Sequence, residues 1–149
     1  YSLVQTIYLN WEDFDSITRK LLPVAEYLYS NLQKMEGADY SPMILELCRA
    51  LENEMHAKVF LKYVSDLIKR HYFDLDDFLF IDSTNNYKQC GRFANAIKNY
   101  FKRKVLNFTL GEMSYILEVS KDELLVEKSP LIKDFNYYIN KNVKNNLKY

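Results

Sequence analysis

Two side chains in one stretch of the chain are equipped for chemistry on an anion. In the segment from Ser41 to Arg70, SPMILELCRALENEMHAKVFLKYVSDLIKR, Arg49 precedes His56 by seven residues with good helix formers between them. An arginine keeps its charge and offers a planar fork of donors, and a histidine can gain or lose a proton near neutral pH. Seven residues make nearly two helical turns, so Arg49, Asn53, His56, Phe60, Tyr63 and Leu67 project into a band about 80° wide. Ile44, Cys48, Leu51, Met55 and Val59 form a second side, while Glu54, Lys58, Lys62 and Lys69 gather on the wet one. A helix apolar over so much of its circumference is expected at the centre of a bundle. An arginine, an amide and a histidine in its middle must then be satisfied by neighbours, or open onto a crevice or a subunit interface. The commoner role of a lone histidine on such a face is a core or interface group with a hydrogen-bond partner. Arg49 could likewise serve Glu46, Glu52 or Asn53 at helical spacing.

The elements that must position these residues are helical. A chain of 149 residues with three Gly and three Pro, and apolar residues recurring at spacings of three and four, argues for an all-α fold. That length suits one domain with one good core, spanning residues 1–149. The 13 Tyr and nine Phe are many for this size, so some rings should reach the surface. Residues 1–10 could be a short strand or the lead into a helix. Trp11 to Met35 has helical periodicity, with Pro23 able to kink or split it. The stretch Gly37-Ala38-Asp39-Tyr40 ends that element, and Ser41 as N-cap with Pro42 at the first helical position starts the next, which should reach His71 or Tyr72. There His71 would meet the last carbonyls. Thr109 and Glu112 form a capping box for a short helix, Ser120 and Glu123 repeat the pattern, and Ser129-Pro130 opens a final helix. The economical architecture is an up-and-down bundle of four long helices plus one or two short ones.

Charge is balanced overall, 20 basic residues against 20 acidic, but not locally. From Ser83 to Gly111 there is no acidic residue, while Lys88, Arg92, Lys98, Lys102, Arg103 and Lys104 accumulate among Tyr87, Phe93, Tyr100 and Phe101. Such a helix either is an ordinary solvated face, pairing with the acidic connection before it, or tracks phosphates with rings available for stacking. That connection holds Asp74, Asp76, Asp77 and Asp82, but without the alternation, central Gly and closing Glu of a calcium loop, so no metal is expected. Cys48 and Cys90 are too few and too far apart for a zinc site and read as buried thiols of a reducing cytosol. No run is long enough to span a bilayer and no cleavable signal is evident, so the expected setting is cytoplasmic, without a membrane partner. The start at Tyr1 rather than Met leaves room for a longer protein of which this is one domain.

The segment Arg49-Ala-Leu-Glu-Asn-Glu-Met-His56 resembles the R-x(4 to 6)-H signature of the HEPN superfamily, and the Leu110-Gly111-Glu112-Met113 helix opening is also similar to HEPN-like domains. The resemblance covers the central helix well and the rest of the bundle in outline. It implies a compact helical domain that dimerises so that two R-x-H motifs meet in a cleft, and a metal-independent endoribonuclease without cofactor, acting in prokaryotic antiviral defence or a toxin–antitoxin system. In that chemistry His56 is general acid or base, Arg49 clamps the phosphate, and Asn53 orients one or the other, the dimer bringing the second histidine. RNA contacts would come from Lys88, Arg92, Lys98, Lys102 and Arg103. An antitoxin or a further effector domain would be a partner. Two departures bear on this: Ala50 stands where many members carry Asn, Asp or His, and Lys58 where one subgroup carries a modifiable tyrosine. The rival reading is a non-catalytic HEPN-like module that binds nucleotide or a partner protein.

Overall fold

The computed structural model describes residues 11–79 and 88–142, with residues 88–90 described by backbone alone. The expectations for residues 1–10, for Asp82, Tyr87, Cys90 and the side chain of Lys88, and for the basic end beyond Asn142 lie outside the described residues. Among those described, every regular element is helical, as an all-α chain requires. The chain divides into two compact units, residues 1–57 and 58–149.

The first unit is a helical pair. A single 3-10 turn, Trp11–Asp13, precedes α1 (Thr18–Leu32), and α2 spans Ser41–Met55. The helix expected from Trp11 begins at Thr18 instead, because Asp15 Oδ1 accepts from the Ile17 N–H at 2.9 Å and holds the chain in a turn. Pro23 sits inside α1 without splitting it. Gly37 takes φ +70° in the connection, where a Cβ would be strained. The start of α2 is capped by Asp39, whose Oδ1 accepts from the Ser41 N–H at 2.8 Å; Ser41 is itself the first helical residue. Small side chains, Thr18, Ala25 and Ala50, line the α1–α2 seam with Leu22, and Trp11, Phe14 and Leu21 pack against Leu22 and Ala50.

The central helix is not covered all round in this unit. Ile44, Leu45, Leu47 and Leu51 are 40–58 % exposed, and Cys48, expected to be a buried thiol, is exposed as well. The chain stays helical past Met55 through a π turn, His56–Phe60, into α3 (Leu61–Arg70). An i→i+5 turn takes up one residue more than an α turn. Residues beyond it do not continue the 100° projection that placed Arg49 in one band with Tyr63 and Leu67.

The second unit adds α4 (Leu75–Phe78), α5 (Lys88–Arg103), α6 (Leu110–Val119), α7 (Glu123–Lys128) and α8 (Pro130–Asn142). Its centre is aromatic: Phe60, Tyr63, Phe93 and Phe135 are fully buried, with the Phe135 ring 4.8 Å from Tyr63, 5.2 Å from Phe93 and 5.4 Å from Phe60. The Tyr63 hydroxyl donates to the Leu131 carbonyl at 3.4 Å, and burial pushes its pKa up. Arg70 makes a bidentate pair with Asp134, at 2.9 and 2.8 Å, and a third bond to Asp66 at 2.9 Å. Other rings do face solvent, Phe73 at 98 % exposure above all. The Thr109–Glu112 capping box forms as expected. The next helix is capped by Asp122, which accepts from Leu124 and Leu125, while the Ser120 hydroxyl turns back to the Leu117 carbonyl. His71 does not serve the last carbonyls with its ring. Its Nδ1 lies 3.2 Å from Asp74 and its ring stacks on Phe78 at 3.9 Å. Among the described residues three helices, α4, α6 and α7, are short, against the one or two expected.

Candidate functional site

Arg49 and His56 are held by α2 and the first position of the π turn, both within the first unit. Helical rise separates them by about 10 Å along the axis and helical rotation by only about 20°, so the two point to one side. Arg49 is 60 % exposed in its side chain, and its Nη1 meets Glu46 Oε1 at 2.9 Å. A single Nη–carboxylate bond leaves most of the guanidinium's five donors to solvent or ligand. His56 is half-buried and not without interactions. Going round α2 from this polar side, the exposed Leu45 and then Glu52 come next, and the uncovered apolar residues Cys48, Ile44, Leu51 and Leu47 follow at about 80–180° from His56.

Asn53 lies on the other flank and has a different occupation. Its Nδ2 donates to Asp15 Oδ1 and to Thr18 Oγ1, each at 3.0 Å, and Thr18 Oγ1 donates to the Ala50 carbonyl at 3.3 Å. The Asp15 N–H in turn donates to Glu54 Oε1 at 2.7 Å. The Ile17 N–H and then the Asn53 amide hold the Asp15 carboxyl below its usual range. This polar knot ties the start of α1 to the end of α2 and so fixes the helix that carries Arg49 and His56. Ala50, 3 % exposed, is the close-contact point of the two helices, which is why no larger polar residue stands there.

The basic set belongs to the second unit, on α5. Its charge is partly answered. Lys98 Nζ reaches Asp76 at 2.8 Å, and the Lys98 bond holds Asp76 below its usual carboxylate range. Arg92 Nη1 stands 3.7 Å from Glu112 Oε1. Lys102 and Arg103 are exposed, and the Lys104 ammonium rests over the Tyr100 and Phe101 rings at 5.7 and 5.8 Å. A hollow of about 180 Å³ lies between Tyr72, Phe73, Asp76, Phe101 and Lys102. On a different face of α5, Arg92, Asn95, Asn99 and Arg103 line two adjoining clefts with Asn107. A count of charges and rings passes over those asparagines; their spacing, with the arginines at either end, was the available signal.

Among the described residues no three His, Cys, Asp or Glu side chains gather as metal ligands, and no helix is long and apolar enough to cross a membrane. No family model, curated protein or solved structure matches the chain.

Proposed function

We propose that the chain is a HEPN-like, metal-independent endoribonuclease of the cytoplasm that works as a homodimer in prokaryotic defence or a toxin system, alone or joined to an effector domain or antitoxin. In this reading the helices form an up-and-down bundle, and Arg49 and His56 from two copies share one cleft. The observation that carries it is the state of α2: an exposed, singly held guanidinium on the same side as His56, with the exposed Leu45 beside them and the uncovered Cys48, Ile44, Leu51 and Leu47 further round the helix. One chain brings one histidine to this side, whereas cleavage at a 2′-hydroxyl needs a base and an acid. A second copy docked across Leu45 and the near edge of that apolar surface, at Cys48, supplies the missing imidazole and removes apolar area from water. His56 then moves the proton, and Arg49 neutralises the phosphorane oxygens.

Asn53 acts here through its knot with Asp15 and Thr18, which keeps α2 in place, and only secondarily by orienting substrate. The α5 cations, Lys102 and Arg103 first, guide the RNA. The deciding experiment is cleavage of a mixed-sequence, end-labelled RNA in excess EDTA by the chain and by His56→Ala. Cutting that vanishes in the variant and leaves cyclic-phosphate ends supports the nuclease. Absence of cutting with nucleotide or protein binding retained favours the second reading, a non-catalytic module, for which the Arg49–Glu46 pair is the supporting observation.

A further inference from the structure

The face of α5 that carries Arg92, Asn95, Asn99 and Arg103 has a composition that neither catalysis nor packing explains. These residues recur at three- and four-residue spacing, so they form one row along the helix. The row borders a cleft of about 290 Å³ that opens toward Glu112 and a second of about 150 Å³ that runs to Arg103. Ala96, Asn99 and Asn107 line both, so the two are one groove with a small residue at its floor. The amides of Asn95, Asn99 and Asn107 are exposed and make no hydrogen bond among the described residues. Each offers two N–H donors and a carbonyl acceptor to whatever enters.

The two ends of the groove carry exposed arginines. Arg92, 68 % exposed, forms a loose ion pair with Glu112 Oε1 at 3.7 Å, beyond hydrogen-bond reach, while Glu112 Oε2 accepts from the Thr109 N–H and hydroxyl. Arg103 is exposed at the far end with no ion pair among the described residues. Eleven residues of helix put the two arginines about 16 Å apart.

The geometry points to a binding groove for a short single-stranded stretch of nucleic acid, in which Arg92 and Arg103 take phosphates and Asn95, Asn99 and Asn107 read base edges. The inference rests on the proposed RNA substrate and adds where, and in what form, the strand lies. An amide pairs its donor and acceptor with the complementary groups of a base edge, as it does with adenine. Those edges are reachable only when the base is unpaired, since A-form duplex presents a shallow minor groove and hides its Watson–Crick edges. At about 3.4 Å or more per nucleotide, the arginine spacing corresponds to at most about five nucleotides. An extended peptide is the competing occupant of an asparagine row, but Arg92 and Arg103 outnumber Glu112, the one carboxylate in the lining, so the face is net positive and complementary to a polyanion.

The test is fluorescence anisotropy of a labelled eight-nucleotide single-stranded RNA in EDTA, on a His56→Ala background so that the probe stays intact. Asn95→Ala/Asn99→Ala should weaken binding at least about tenfold with an unchanged salt slope, and Asn99→Asp by more. Arg103→Ala should weaken it and lower the log–log salt slope by about 0.7. Lys121→Ala, a cation in the turn between α6 and α7, should leave it unchanged. Far-ultraviolet circular dichroism confirms that these surface variants keep their helices. Groove variants that bind like the background, or a hairpin duplex that competes as well as the single strand, overturn the proposal; so does loss of binding to an acidic peptide alone. Cleavage by the chain with native His56 is scored separately. Failure to cut with groove-dependent binding retained sinks the nuclease and keeps the groove, and cutting without groove dependence does the reverse.

Discussion

Replacing Arg49 by alanine separates a catalytic arginine from a structural one, because the structure sets a low ceiling on what the side chain contributes to folding. Its ion pair with Glu46 is an i,i+3 pair on a helix surface, with the arginine 60 % exposed. Such pairs contribute about 0.3–0.5 kcal/mol. Alanine returns a few tenths of that through helix propensity. Glu46 is more covered, at 15 % exposure, and losing its partner raises the ceiling to about 1 kcal/mol. The midpoint of thermal unfolding should therefore fall by no more than about 4 °C. If Arg49 clamps the transition state, its loss should cost about 2.7–4 kcal/mol of barrier, a factor of about 100–1,000 in rate. Initial rates on end-labelled RNA in EDTA, beside thermal melts followed at 222 nm, read both quantities on one preparation. A rate within threefold of the parent refutes the clamp. A destabilisation above about 2 kcal/mol refutes the surface-pair accounting and returns Arg49 to the scaffold.

Asn53→Ala should behave in the opposite manner, losing two hydrogen bonds and about 1–3 kcal/mol of stability in chemical denaturation, with the Asp15 carboxyl rising toward its ordinary value in an NMR titration; a stable variant with abolished cleavage would make the amide catalytic instead. Leu51→Lys places a charge on the uncovered apolar surface at little cost to the monomer, and sedimentation should show the dimer lost together with cleavage; a dimer that persists moves the interface elsewhere. Partial burial acts to raise the Asp134 carboxyl, but Arg70 outweighs it and holds the group below its usual range. A depressed carboxylate adds stability that is full above the unfolded value of about 3.9 and is lost as pH falls through the folded one. Urea midpoints should drop steeply below about pH 4 in the parent and less so in Asp134→Asn, and parallel acid limbs would remove the pair from the account.

What could be read in advance depended on whether a signal is local. The Thr109–Glu112 box is complete within four residues, and it formed as read. The Ser41 cap failed for the same local reason turned round: Ser41 is itself the first helical residue, and its own N–H is taken by the carboxylate of Asp39, two residues earlier. Cys48 and Leu51 were misplaced because an apolar residue at helical spacing records only that a face seeks cover, not that this chain supplies it. The π turn left no mark at all, since an i→i+5 bond is chosen by packing on either side of it rather than by the residues His56–Phe60. Arg49 and His56 were legible by type and spacing, whereas the asparagine row of α5 carries no charge to notice.

The π turn also bears on how relatives of this chain are to be compared. A helix of constant repeat accepts substitutions along its whole length but neither insertion nor deletion, which alignment practice confines to loops. Here one residue of slack sits in mid-helix at 56–60, so a relative with a regular α-helix would be one residue shorter at that point while keeping every neighbouring side chain in place. Its gap would fall within the turn that begins at His56. A motif counted forward from Arg49 survives such a deletion, and one counted back from Tyr63 does not.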